Sequence, residues 1–126
     1  MTHSLEGLKN VIAEVLDIEE SQIEEKTYMI RELNSESIDL LEIGVGLNEK
    51  YGIDIDDNQV FLRELRYFIK EAEEKNVTVI GYLQDQYPYL SAKRLEQMIR
   101  DLQEGPVLKV EDILNYVDWK RGGFTQ

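Results

Sequence analysis

The side chains that most often carry enzyme chemistry are scarce in this sequence. It has no cysteine and a single histidine, His3, which argues against thiol nucleophiles, thiolate metal sites and Ser-His-Asp arrangements. His3 also falls in a terminal segment that we expect to be mobile. Gly44 and Gly46 lie inside a predicted helix, so they do not form a glycine-rich phosphate loop. We therefore expect no catalytic residue, and any thiol chemistry must come from a prosthetic group.

A short acidic run is the nearest approach to a metal site. Asp54, Asp56 and Asn58 match the first three ligand positions of an EF-hand loop. Gln59 stands where that loop needs glycine, and Leu65 stands where it needs a bidentate glutamate. The match fails, and we expect a solvated turn and no metal ion.

One serine is placed where its hydroxyl is open to modification. Ser37 stands at the predicted start of a helix, whose first turns carry Glu36, Asp39 and Glu42. The free N–H groups and positive dipole end of a helix N-terminus tolerate a phosphate attached there. An ordinary helix cap is the alternative, because serine is among the commonest capping residues.

Three separated segments then point to one family. Residues 33–43, with the sequence LNSESIDLLEI, resemble the acyl carrier protein signature, in which a Gly-x-Asp-Ser-Leu run begins the second helix. Residues 49–55 are similar to the family's exit from that helix, and residues 109–117 to its final helix. The resemblance implies a 4′-phosphopantetheine arm, which a phosphopantetheinyl transferase attaches to Ser37 and whose thiol holds acyl groups as thioesters.

Two positions depart from the signature. Asn34 replaces the usual glycine, and asparagine also tolerates the left-handed conformation. Glu36 replaces the aspartate before the serine, which keeps the charge but lengthens its reach. We expect Glu36 to require a dedicated transferase or to slow loading by a generic one.

The acidity of the chain is concentrated in one region. The formal net charge is −12; residues 1–58 hold 15 acids against 4 bases, and residues 59–105 hold 8 against 7. Such a surface repels nucleic acid and attracts proteins with basic patches. Glu36, Asp39 and Glu42 are the candidate contacts for acyl-loading and acyl-transfer enzymes with basic surfaces. A merely solvated face is the alternative.

Hydrophobic periodicity predicts an all-α fold in one domain over residues 1–126. The first helix begins after Ser4 as N-cap, and Ile23 anchors the loop that follows. The second helix runs from Ser37 to about Gly52 and carries Ile38, Leu41, Val45 and Tyr51. A third begins at Val60, residues 76–90 form a loop with a helical turn, Ser91 caps another helix, and the last begins near Val110. Residues 121–126 form a loose tail.

An added segment separates this chain from an ordinary carrier. Removing residues 59–105, called here the insert, leaves a body (residues 1–58 and 106–126) close to the usual carrier size. The insert holds six aromatic residues: Phe61, Tyr67, Phe68, Tyr82, Tyr87 and Tyr89. The simple account is that added helices bury these rings against the bundle. The other is a specialised surface for a partner or an acyl chain. Gly44 and Gly46 in the second helix suggest either room for an acyl chain to lie against that helix or tight packing of the insert on it.

The sequence thus predicts an acyl-carrier-like four-helix bundle with a helical insertion after the second helix. It is expected to be a monomeric, cytoplasmic carrier without a membrane span, and not an enzyme. The resemblance implies a role in fatty-acid synthesis or in specialised lipid synthesis, since some carriers that feed lipid A assembly resemble this one in being enlarged here. The alternative is a helical adaptor that binds a protein partner through its acidic helix or its aromatic insert.

Overall fold

A computed structural model describes residues 2–122, with side chains from Ser4 onward. Seven α-helices follow one another: α1 Thr2–Leu16, α2 Ser37–Tyr51, α3 Asp57–Val60, α4 Leu65–Glu74, α5 Val79–Gln86, α6 Ala92–Asp101 and α7 Val110–Lys120. The described residues contain no β-strand beyond one bridge between Tyr28 and Lys109. The all-α prediction is confirmed. The prediction for His3 concerns a side chain outside the described part of the chain. The prediction for the end of the tail concerns residues 123–126, which also lie outside it.

The body supplies α1, α2 and α7, and α3 spans the junction between the body and the insert. Helix α1 packs on α2 and on α7, and α3 packs on α7. Ile23 and Met29 in the long loop before α2 are fully buried, as predicted for the loop anchor. The predicted cap at Ser4 is wrong: α1 begins at Thr2, and the buried Ser4 hydroxyl instead accepts a hydrogen bond from Arg121 at 2.8 Å.

The insert begins differently from its prediction. Instead of one helix from Val60, the chain forms α3, breaks, and starts α4 at Leu65. Asp56 caps α3 by accepting from the Asn58 and Gln59 N–H groups, which starts that helix early. Leu62 ends the segment with φ at +58°, a left-handed conformation that no helix of L-residues continues.

Residues 76–90 form more regular structure than the predicted loop with a helical turn. They contain α5, which packs on α4 and on α6. Val77 to Ile80 favour a strand locally, but an isolated strand has no pairing partner here. Helix α5 buries Leu83 completely instead, so tertiary packing decides the conformation.

Polar contacts join the far end of the insert to the body. Arg94 on α6 donates from Nε and Nη2 to the two carboxylate oxygens of Asp112 on α7, each at 2.8 Å. Arg31 in the loop before α2 donates to the Asp101 carboxylate at 3.0 Å and to the Gly105 carbonyl at 3.0 Å. Tyr28 donates to the same Asp101 carboxylate at 2.6 Å. The insert is therefore fixed to both the loop and the last helix of the body.

Aromatic rings continue this attachment through the core. Tyr89 lies edge-on to Tyr116 at 5.2 Å and stacks on Trp119 at 5.7 Å between ring centroids. Tyr87 and Tyr89 are buried, whereas Tyr67 is 59% exposed. Burial against the bundle thus accounts for most of the insert's aromatic residues, but not for Tyr67. None of the helices in residues 2–122 is both long and apolar enough to cross a bilayer.

Candidate functional site

Ser37, at the start of α2, is not the N-cap of that helix. The N-cap is Glu36, whose N–H donates to the Asp39 carboxylate at 2.8 Å. Ser37 is the first residue of the helix and is exposed. The alternative that Ser37 is an ordinary cap is therefore wrong, and its hydroxyl stands at the positive end of a 15-residue helix.

The turn before the serine has the conformation that the sequence predicts. Asn34 has φ at +57°, which is the left-handed region that glycine fills most easily and asparagine tolerates. The Asn34 N–H donates to the Ile30 carbonyl at 3.1 Å, and the Ser35 N–H donates to the Met29 carbonyl at 3.1 Å. These bonds fix the loop to the core and hold Ser37 in place.

Ser37 borders a cavity of about 380 Å³, within the range of small-molecule pockets, roughly 300–1,000 Å³. The body supplies Ile30, Ser37, Leu40, Leu41, Pro106, Val107 and Leu108, and the insert supplies Phe61, Leu62, Arg63, Leu65, Arg66, Leu102 and Gly105. Most of these side chains are apolar. The insert therefore forms a wall of the cavity beside the candidate attachment site, a role that no local motif in the sequence revealed.

The predicted recognition acids divide into two groups. Glu36 and Glu42 are exposed and open to a partner. Asp39 is only partly exposed and caps the helix through the Glu36 N–H. Glu36 and Asp39 also share the capping box that begins α2, so their carboxylates have a structural task besides any contact with a partner.

Helix α2 carries three of its predicted apolar residues on its outer face. Ile38 is 60% exposed, Leu41 41% and Val45 59%, while the core positions of α2 are Leu40, Ile43, Gly44 and Leu47. Both sets have helical spacing, so periodicity alone could not show which faces inward. The exposed stripe lies among the acids and enlarges the candidate partner surface.

The two helix glycines serve packing within the body. A Cβ at Gly46 would lie 2.8 Å from Val11 Cγ1 of α1, and one at Gly44 would lie 2.9 Å from Asp57 Oδ1 of α3. Neither glycine lines the Ser37 cavity. Close helix approach explains both, although their neighbours are α1 and α3 and not the added helices α4 to α6.

The chemistry available in the described part of the chain is that of an attachment site. No group of three or more potential metal ligands lies together there, and Asp56, from the failed EF-hand match, caps α3. A phosphopantetheine arm fits the surroundings of Ser37. The Ser37 hydroxyl is exposed, with space beside it for a phosphodiester, and the adjoining cavity is lined mostly by apolar side chains.

Comparison with known proteins agrees with this geometry. A family model described as the phosphopantetheine attachment site matches residues 6–65. The acyl carrier protein of Helicobacter pylori (strain G27) is 33% identical over 54 residues, which cover 43% of this chain and 69% of that protein. The acyl carrier protein of Helicobacter hepaticus (strain ATCC 51449 / 3B1) is 30% identical over 56 residues, or 44% and 74%. No solved structure matches the chain significantly. The chain therefore belongs to the acyl carrier protein family, as a phosphopantetheine-bearing carrier and not an enzyme, and its fold is an acyl-carrier-like helical bundle with extra helices.

Proposed function

We propose that Ser37 Oγ is the attachment point of the 4′-phosphopantetheine arm. The observation that carries this proposal is the position of the Ser37 hydroxyl. It is exposed, it does not cap the helix, and it lies at the first position of α2 and at the edge of the 380 Å³ cavity. The helix N-terminus favours the negative charge of the phosphodiester. The chain needs no base beside Ser37, because the transferase activates the hydroxyl.

The arm supplies a thiol on which an acyl group is carried as a thioester. The cavity beside Ser37 is the seat we propose for that acyl chain. Each buried CH₂ contributes about 0.8 kcal/mol, so an eight-carbon chain gains several kcal/mol from a preformed apolar wall. Leu40, Val107 and Leu108 of the body and Phe61 and Leu65 of the insert provide such a wall.

The outer face of α2 is the surface we propose for partner enzymes. Glu36 and Glu42 supply negative charge, and Ile38, Leu41 and Val45 supply exposed apolar area. A partner with basic residues around an apolar patch complements this combination. The protein then serves as a monomeric shuttle in fatty-acid synthesis or in specialised lipid synthesis of the lipid A type, and the enlarged cavity wall favours the specialised role.

Intact-mass analysis after co-expression with a promiscuous transferase tests the attachment site. The wild type is expected to gain one phosphopantetheine and Ser37→Ala none. Ser35→Ala is the matched control, because Ser35 lies two residues away but is buried, and it should load normally. Loading of Ser37→Ala would refute the assignment.

Two further results separate the remaining alternatives. If the wild type stays unmodified and Glu36→Asp also stays unmodified, the chain is the helical adaptor and not a carrier of acyl groups. If Glu36→Asp loads faster than the wild type, Glu36 slows recognition by a generic transferase. Amide shifts that are identical with and without an octanoyl group, along α2 and the insert, would rule out the cavity as the acyl seat.

A further inference from the structure

The Ser37 cavity has a charge opposite to that of the protein. The chain holds 26 acidic residues against 14 lysines and arginines. The described residues that line the cavity nevertheless include Arg63 and Arg66 and no aspartate or glutamate. A mostly apolar cavity with two guanidinium groups is suited to a ligand that is largely hydrocarbon but carries one anionic group.

The backbone break between α3 and α4 brings these arginines to the cavity. Leu62 is buried with φ at +58°, so the chain turns sharply there. The next N–H, that of Arg63, donates to the Asn58 carbonyl at 3.0 Å, which fixes the turn. Arg63 lies in this turn and Arg66 in the first turn of α4, and both line the cavity.

Arg66 is held at the edge of the cavity by a backbone contact. Its Nη2 donates to the carbonyl of Leu102 at 3.0 Å, and Leu102 lines the same cavity. A guanidinium has five N–H donors, so this bond leaves capacity for an anion. Both arginine side chains are solvent-exposed, which places their charge at the mouth of the cavity.

We propose that Arg63 and Arg66 bind the phosphodiester that joins the arm to Ser37 and thereby draw the arm into the cavity. This inference rests on the proposed attachment at Ser37. The phosphodiester is the anion favoured by the structure, because it begins at Ser37 Oγ and Ser37 lines the same cavity as both arginines. Arginine matches phosphate oxygens through paired N–H donors. The insert would then control how far the arm leaves the protein, a task that the body alone does not perform.

Two measurements on the loaded protein test this proposal. The first is the ³¹P resonance of the arm in the wild type, in Arg63→Gln/Arg66→Gln and in the urea-unfolded protein. The double variant is expected to move the resonance toward its unfolded position. The second is the rate at which a neutral maleimide reacts with the arm thiol. This reaction reads the arm alone, because the chain has no cysteine.

The rate of the thiol's reaction with maleimide should rise roughly two- to fivefold for each arginine removed, which is the range expected from the strength of exposed ion pairs. High salt should raise the wild-type rate by a similar factor, because it screens the same charges. Lys70→Gln is the matched control, since Lys70 is an exposed cation on α4 outside the cavity lining. Arg63→Gln alone keeps the test valid if loss of the Arg66 bond to Leu102 disturbs folding.

The possible failures are distinguishable. Protein that never gains the arm refutes the proposed function, before the arginines are tested. Loaded protein whose ³¹P resonance is unmoved in the double variant, or moved equally by Lys70→Gln, overturns the present inference alone. A moved resonance with unchanged thiol reactivity overturns the drawing-in of the arm. If the arginine substitutions have an effect only when the acyl group on the arm ends in a carboxylate, the arginines bind that carboxylate and not the phosphodiester. This result also overturns the inference.

Discussion

Replacing Arg94 by methionine tests how the insert is joined to the body. Arg94 and Asp112 form two hydrogen bonds of 2.8 Å, and their side chains are 8% and 0% exposed. Methionine keeps an unbranched side chain in the site but removes the charge and both bonds. Asp112 is then left buried with the Lys109 N–H, at 2.9 Å, as a donor.

The expected loss is large for a protein of this size. Breaking a buried ion pair by removing one partner costs about 3–5 kcal/mol, because the other charge stays buried. The free energy of unfolding of a single domain is about 5–15 kcal/mol. The double variant Arg94→Met/Asp112→Leu should recover most of the loss, since apolar replacement of a buried pair is often neutral. The bond from Arg94 to the Val107 carbonyl, at 2.9 Å, is lost in both variants.

Urea denaturation followed by two probes measures this loss. Far-UV circular dichroism reports on all the helices, and the fluorescence of Trp119, the one tryptophan in the sequence, reports on its stacking with Tyr89 of the insert. Because buried residues of insert and body form one cluster, the two transitions should coincide. Arg100→Met, an exposed change on the same helix, is the control and should cost little.

Three results would refute this reasoning. A loss below about 1 kcal/mol in Arg94→Met is the behaviour of a surface ion pair. A double variant no more stable than the single one would show that the stranded Asp112 charge is not the cause. Transitions that separate between the two probes would mean that the insert unfolds independently of the body.

Three further predictions depend on particular contacts. Gly46→Ala should lower the free energy of unfolding by about 1–3 kcal/mol through overpacking, because its Cβ would lie 2.8 Å from the stiff Val11 side chain. Gly81→Ala, whose Cβ would have its nearest neighbour at 3.8 Å, should instead stabilise α5 by up to about 1 kcal/mol. Thermal melts compare the two variants. Tyr89→Phe keeps the ring but loses the 2.6 Å bond to the Gln59 carbonyl, so urea midpoints should show a loss of about 1 kcal/mol. The hydrogen bond from Tyr28, assisted by Arg31, holds the pKa of Asp101 below its usual value. The stability from this carboxylate is full above about pH 4 and is lost as pH falls through the lower folded pKa. Asp101→Asn should therefore destabilise the protein at neutral pH and much less at about pH 2, whereas equal losses at both pH values would exclude an ionised Asp101 as the cause.

Local signals in the sequence predicted the helices that have distinct ends. Helix α2 begins at Ser37 and ends before Gly52, whose φ of +64° marks the predicted stop. The Ser91 hydroxyl caps α6 by accepting from the Arg94 N–H at 3.1 Å, and α7 begins at Val110 as predicted. Capping groups and left-handed residues act over three or four positions, so a single sequence contains them in full.

Three features that the sequence did not predict depend on contacts distant in sequence. Helix α5 forms where we predicted a loop with a helical turn and where local propensity favours a strand, because α4 and α6 cover it. The outward direction of Ile38 and Val45 depends on which side of α2 meets α1, and both stripes of α2 have the same period. The cavity wall depends on the fold of the whole insert. None of these contacts has a signature within one segment.

The placement of these contacts gives the insert a physical connection to Ser37. Arg31 binds Asp101 and Gly105 on one side, and Gly105 together with Leu102 lines the Ser37 cavity. The next residues, Pro106 to Leu108, line it too, and the Leu108 carbonyl accepts from the Met29 N–H at 3.0 Å. A change that loosens the insert from the body therefore also moves a wall of the cavity beside Ser37. The shape of this cavity therefore depends on the insert, whereas Ser37 itself is presented by the loop and helix of the body.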